Sequence, residues 1–190
     1  MTSERWRSAV LVLATLTMGL VTGAFVLYSH TVMPGLGDTD DRTFVTAFQA
    51  MDESIINPVF MLGGFLGALV FTALAVGLHL RGDPRVVLPW LVAALVLYVI
   101  VVGITLGVNV PLNDEIKAAR DLDRISDFAA VREQFHESRW AGWNHVRSVL
   151  STAAFGSLIW ALVEHGRTLR PAPRVNEQGS ESWSSHKASR

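Results

Sequence analysis

Three stretches of the chain carry no Asp, Glu, Lys, Arg or His: Ser8–Ser29, Asn57–Leu78 and Val86–Asn109. A helix rises about 1.5 Å per residue, so roughly 20 apolar residues cross the hydrocarbon layer of a bilayer. Each stretch is long enough and predicts a membrane-spanning helix. The fourth apolar stretch, between Arg147 and Glu164, falls short of that length. It reaches it if the helix begins near Trp140 or Trp143 and carries Arg147 into the interface, the depth that Trp prefers. The expected spans are about 9–28, 58–78, 87–108 and 143–163, in one membrane domain over 1–170. The polar, Ser-rich remainder, 171–190, is expected to be a disordered tail. The fold class is all-α: a four-transmembrane-helix bundle with short helices in two extracytoplasmic loops.

The connections differ in length. Spans two and three are joined by a tight turn over His79–Arg85, with Gly82-Asp83-Pro84 as its breaker. The other two connections, Ser29–Ile56 and Val110–Gly142, are long and patterned. Phe44, Phe48, Met51 and Ile55 recur at helical spacing, which predicts an amphipathic helix lying on the membrane or capping the bundle. Asn113 before Asp114-Glu115 reads as the N-cap of a further helix, and another from about Asp127 runs on into span four. Arg5 and Arg7 before the first span put the N-terminus inside. Both termini are then cytoplasmic, in a multi-pass protein of the cell membrane. A cleaved signal peptide is the competing reading of the first segment, but its apolar run is too long and ends in Phe25-Val26-Leu27-Tyr28.

Composition narrows the chemistry. The chain has no cysteine, which removes disulfides, iron–sulfur clusters and thiolate metal sites. The net charge is −1 and no basic run stands out, so nucleic acid is not an expected partner. Gly19/Gly23, Gly63/Gly67 and Gly103/Gly107 are G-x-x-x-G pairs, and Ala153, Ser157 and Ala161 continue the pattern in span four. Such small faces let membrane helices pack closely, either within one bundle or in a homo-oligomer.

Polar residues near the spans gather at the outer ends: Tyr28, His30, Glu53, Asn57, Asn109, Asn113, Trp140, Trp143, Asn144, His145 and Arg147. Burying such groups in lipid costs free energy, which makes them the functional candidates. Trp140, Trp143, Asn144 and Arg147 follow helical spacing and suit an aromatic or enolate-like ligand, or else a pair of interfacial anchors with a snorkelling Arg. Asn57 before Pro58 reads equally as a helix N-cap, and Asn109 before Pro111 as a helix end. His30 and Glu53 are the candidate general bases. A metal site from His30, Glu53, His136 and His145 is not expected, because no pair has H-x-x-x-H spacing.

Asn57-Pro58-Val59-Phe60 opens span two, Asn109-Val110-Pro111-Leu112-Asn113 closes span three, and Trp143-Asn144 with Arg147 opens span four. Over about Leu11–Val163 these runs resemble the anthrone oxygenase-like family of small four-helix membrane proteins. The resemblance implies an oxidoreductase that converts a hydrophobic, anthrone-like aromatic to a quinone with O₂, without flavin or metal. Under it, His30 or Glu53 removes a proton, while Arg147, Asn109 and Asn144 stabilise the phenolate. Trp140 and Trp143 stack on the rings, and Asn57 and Asn113 complete the binding rim. The competing expectation is a non-catalytic membrane protein that binds lipid or a protein partner through its outer loops. Transport is weaker still, because the spans lack mid-membrane charges.

Overall fold

The computed structural model describes residues 2–80, 85–119 and 125–169. The expected tail and the Gly82-Asp83-Pro84 breaker lie outside the described residues. The described chain is helical throughout: α1 (Glu4–Gly37), α2 (Asp41–Ile55), α3 (Val59–His79), α4 (Leu88–Ala118), α5 (Phe128–Phe135) and α6 (Glu137–Thr168). Four helical runs are long and apolar enough to cross a membrane: α1, α3, α4 and the run that ends with α6. They form a ring in which α1 packs on α3 and α6, and α4 packs on the same two. The short helices α2 and α5 gather at one end, where α2 packs on α5 and on the last turns of α4. These two helices cap the bundle there, so this is its capped end.

The bundle core follows one stripe per helix. Leu11, Ala14, Met18, Val21 and Phe25 of α1 are buried at three- and four-residue spacing. They meet Ala68 and Ala75 of α3, Leu91, Ala94 and Tyr98 of α4, and Ala154, Leu158 and Ala161 of α6. The opposite faces carry large exposed apolar residues such as Leu16, Leu20, Leu62, Val70, Val96 and Val149, which suits hydrocarbon surroundings. Alanine, more than glycine, lets these helices approach. A Cβ on Gly23, Gly63, Gly103 or Gly107 would touch nothing within 4 Å, so one whole pair and one member of each of the others face outward. In α6, Ala153 is exposed and the packed stripe runs through Ser151, Ala154 and Leu158 instead. Gly19 and Gly67 do mark close approaches, to Phe155 and Thr17. Spacing alone does not say which side of an all-apolar helix faces protein.

Two helix ends also differ from expectation. Asn109 does not end α4, and Asn113 is not an N-cap, because the helix continues through Pro111 to Ala118. Pro111 has no N–H to offer a carbonyl four residues back. A wide π-type turn over Thr105–Asn109 precedes it, with the Val110 N–H donating to the carbonyl of Thr105, five residues back. Helix α5 passes into α6 through one left-handed residue, His136, at φ 52°. The N-cap of α2 is Asp40, whose carboxylate accepts from the Thr43 N–H at 3.0 Å.

Arg132 binds the two long connections together at the capped end. It donates to Glu137, Asp41 and the carbonyls of Gly37 and Thr39, and its guanidinium lies 4.2 Å from the centre of the Phe44 ring. Beneath it, Phe44, Phe48, Phe135 and Trp140 form a second apolar cluster with Leu112 and Ile116.

Candidate functional site

Three of the four long helices widen at the same level. Wide π-type turns occupy Tyr28–Val32 in α1, Val59–Phe65 in α3 and Thr105–Asn109 in α4. Each adjoins a proline: Pro34 and Pro111 lack the N–H that a regular α-turn would send to the carbonyl four residues back, whereas Pro58 stands at the start of α3, where that N–H would have no partner in the helix. π-Bulges recur at functional sites because they displace side chains and carbonyls from the regular helix path. Here all three border one cavity of about 230 Å³ at the capped end. Tyr28, Phe60, Met61, Phe65 and Thr105 reach it from the wide turns, Phe48 and Asp52 from α2, and Trp140, Asn144 and Arg147 from α6.

The cavity is largely apolar with two polar poles. At the first, Arg147 is 5% exposed, which amounts to a cation in the protein interior. Its Nη2 donates to Asn144 Oδ1 at 2.7 Å and its Nη1 to Thr105 Oγ1 at 3.1 Å. The guanidinium lies 4.6 Å from the Phe25 ring centre and 5.6 Å from that of Trp140. Its Nε is buried without a hydrogen-bond partner, and no carboxylate among the described residues pairs with it. Asn144 is locked in place by donating to Ser29 Oγ at 2.7 Å and to the Phe25 carbonyl at 3.1 Å.

At the second pole, Trp140 Nε1 donates to Asn113 Oδ1 at 2.7 Å, and Asn113 Nδ2 donates to Asp52 Oδ1 at 2.6 Å. The other oxygen of Asp52 is 2.9 Å from Lys117 Nζ, which also pairs with Asp114 at 3.2 Å. Trp140 therefore belongs to both poles, with its ring beneath Arg147 and its N–H in the Asn113–Asp52 chain.

Five of the residues singled out from sequence line this cavity: Tyr28, Asn113, Trp140, Asn144 and Arg147. Asn109 is buried beside it, with its Nδ2 3.4 Å from the Trp140 carbonyl and its Oδ1 unpartnered. The others stand outside. Asn57 caps α3, accepting from the Phe60 N–H at 3.0 Å and donating to the Ser54 carbonyl at 2.8 Å. His30 is exposed and meets only His145, edge to face at 5.4 Å. Glu53 is exposed on an outer groove that it shares with Gln49, Asp114 and Lys117. Trp143 is 39% exposed. At about 100° per residue it sits some 60° round the helix from Trp140, whereas Asn144 and Arg147 stay within about 40° of it.

The residues missed by sequence reading are Asp52 and Lys117. Asp52 had a legible signal, since it follows Phe44 and Phe48 at four-residue steps and so sits inside the buried stripe, while Glu53 lies beyond its edge. No group of three or more metal-ligating side chains exists among the described residues.

A family model described as Anthrone oxygenase matches residues 53–157. No curated protein and no solved structure matches the chain.

Proposed function

The chain belongs to the anthrone oxygenase family, and on that premise we propose that it oxygenates a hydrophobic phenolic aromatic held in the cavity at its capped end. The observation that carries the reading is Arg147, a buried guanidinium with neutral partners beside an apolar cavity. An unpaired buried charge costs several kcal/mol. A ligand that brings an anion, such as a phenolate on a flat apolar ring, offsets that cost and fills the apolar walls. The cavity is slightly smaller than the ~300 Å³ at which ligand pockets usually begin, which favours a small, flat occupant.

The chemistry asks little of the protein. An anthrone carries a methylene flanked by two aromatic rings, and its carbanion is delocalised into the phenol and carbonyl system. Loss of one C–H proton yields the carbanion, which combines with O₂ to form a C–O bond as a peroxide anion. Loss of the second C–H proton with cleavage of the O–O bond leaves the quinone carbonyl and hydroxide, which is protonated to water. No external reductant is consumed. Arg147, held in place by Asn144 Oδ1, binds the phenolate oxygen where negative charge builds up, and Trp140 stacks against the rings. The protein works without flavin or metal, because the substrate itself supplies the electrons.

We place the protein in the cell membrane with both termini cytoplasmic and the capped end outside, so that a lipophilic substrate reaches the cavity from the bilayer. The absence of native cysteine makes single-cysteine labelling a clean test of this orientation. Activity is tested by oxygen uptake of the purified protein with a panel of anthrones and hydroquinones. Uptake above a detergent blank, lost in R147A, is the expected result. Tight binding without uptake would instead assign the cavity to a non-catalytic binding protein.

A further inference from the structure

Oxygenation without a cofactor needs a base within reach of the carbon acid. His30 and Glu53, the bases expected from sequence, stand outside the cavity. Among the described residues only one carboxylate lines it, that of Asp52, which is 7% exposed.

Resting on the reading above, we propose that Asp52 is the catalytic base and that Lys117 connects it to the outer surface. Asp52 Oδ1 is oriented by Asn113, itself fixed by the Trp140 N–H, so the carboxylate is held at the pole away from Arg147. A phenolate bound to Arg147 with its rings against Trp140 extends its methylene toward that second pole. The proton passes from carbon to a carboxylate oxygen, the C–H electron pair remains on the carbon, and Asp52 becomes a neutral acid. Lys117 explains how it resets. Its ammonium touches both Asp52 and Asp114, and its side chain belongs at once to the cavity wall and to the outer groove lined by Gln49, Glu53 and Asp114. Once Lys117 has given a proton to Asp114 or to water in that groove, it takes the one held by Asp52. Among the described residues, the only other one that lines both spaces is Ile56, which is apolar.

The test separates proton removal from oxygenation. A dihydroxyanthrone is incubated anaerobically with protein in D₂O, and exchange of its methylene hydrogens is followed by mass spectrometry. Binding is measured in parallel by quenching of tryptophan fluorescence. D52N and D52A are expected to bind within a few-fold of wild type and to lose about 100-fold or more of exchange and oxygenation. Formate is expected to restore exchange in D52A, which a merely structural role for the carboxylate would not permit. K117Q and K117R should both slow exchange over many turnovers, because a guanidinium keeps the charge but does not give up its proton. Exchange at the wild-type rate in D52A, failure of formate to restore it, or loss of exchange in E53Q or H30Q with D52A active overturns the proposal. A wild-type protein that neither binds nor oxygenates any anthrone overturns the underlying functional reading as well.

Discussion

The two ends of the bundle both bury polar side chains, but they use them differently. At the end away from the cap, His79 and His165 are 4% exposed and meet edge to face at 5.4 Å. His79 Nδ1 is 2.7 Å from the Ala75 carbonyl, and His165 Nε2 is 2.9 Å from Ser8 Oγ. The nearby cation, Arg7, is compensated by Glu4 at 2.8 Å and by the Leu78 carbonyl at 3.1 Å. These contacts tie the ends of α1, α3 and α6 together. Each imidazole keeps one nitrogen without a partner, but a single unpartnered ring nitrogen costs far less than a bare cation. At the capped end, the cation Arg147 has no anion beside it among the described residues, three helices depart from regular geometry, and a cavity is left between them. Burial of polar atoms alone does not mark function in this molecule. Hydrogen-bonding and charge capacity left unspent beside empty space does.

Removing the charge is the strongest way to break that contrast. R147M should lose about 100-fold or more in affinity for a phenolic ligand, the usual consequence of deleting a buried charged partner. Its ligand-free thermal stability in detergent should nevertheless hold or rise, because an uncompensated buried cation disappears. A large drop in melting temperature would make Arg147 a structural residue. Next in size is the wide turn in α3. A Cβ on Gly67 would come 2.5 Å from the Leu62 carbonyl oxygen, so G67A should destabilise the bundle by about 2 kcal/mol. G63A, facing open space, should be close to neutral. Equal thermal shifts for the two would remove the argument from that turn.

The opposite end should respond weakly and separately. H165L loses one hydrogen bond, to Ser8, and should cost about 1 kcal/mol of stability while leaving ligand affinity unchanged. Loss of binding there would join the two ends into one functional unit. The smallest effect concerns the join between α5 and α6. His136 holds a left-handed conformation that disfavours any Cβ, so H136G should gain about 0.5 kcal/mol. Chemical denaturation in mixed micelles is sensitive enough to read that gain, and a loss would show that the His136 side chain contributes through contacts of its own.

The four long helices and the stripe of α2 were legible in the sequence because both are local properties. An uninterrupted apolar run sets helix length, and a period near 3.6 sets which side of a polar helix is buried. The Trp140, Asn144 and Arg147 face was legible for the same reason. Within the all-apolar spans the pattern carries no such information. The inward face was therefore decided only by packing, and four of the six glycines in those pairs turned outward while alanines filled the core. The continuation of α4 through Pro111 depended on a wide turn that residue types alone do not announce. Asp52 rather than Glu53 entered the cavity because α2 docks its Phe44 and Phe48 side on α5 and α4. The partners of Asp52, Asn113 and Lys117, lie some sixty residues further along the chain. Whether a charge is paired depends on which residues distant in sequence the fold brings beside it, so the lone cation at Arg147 became visible only in three dimensions.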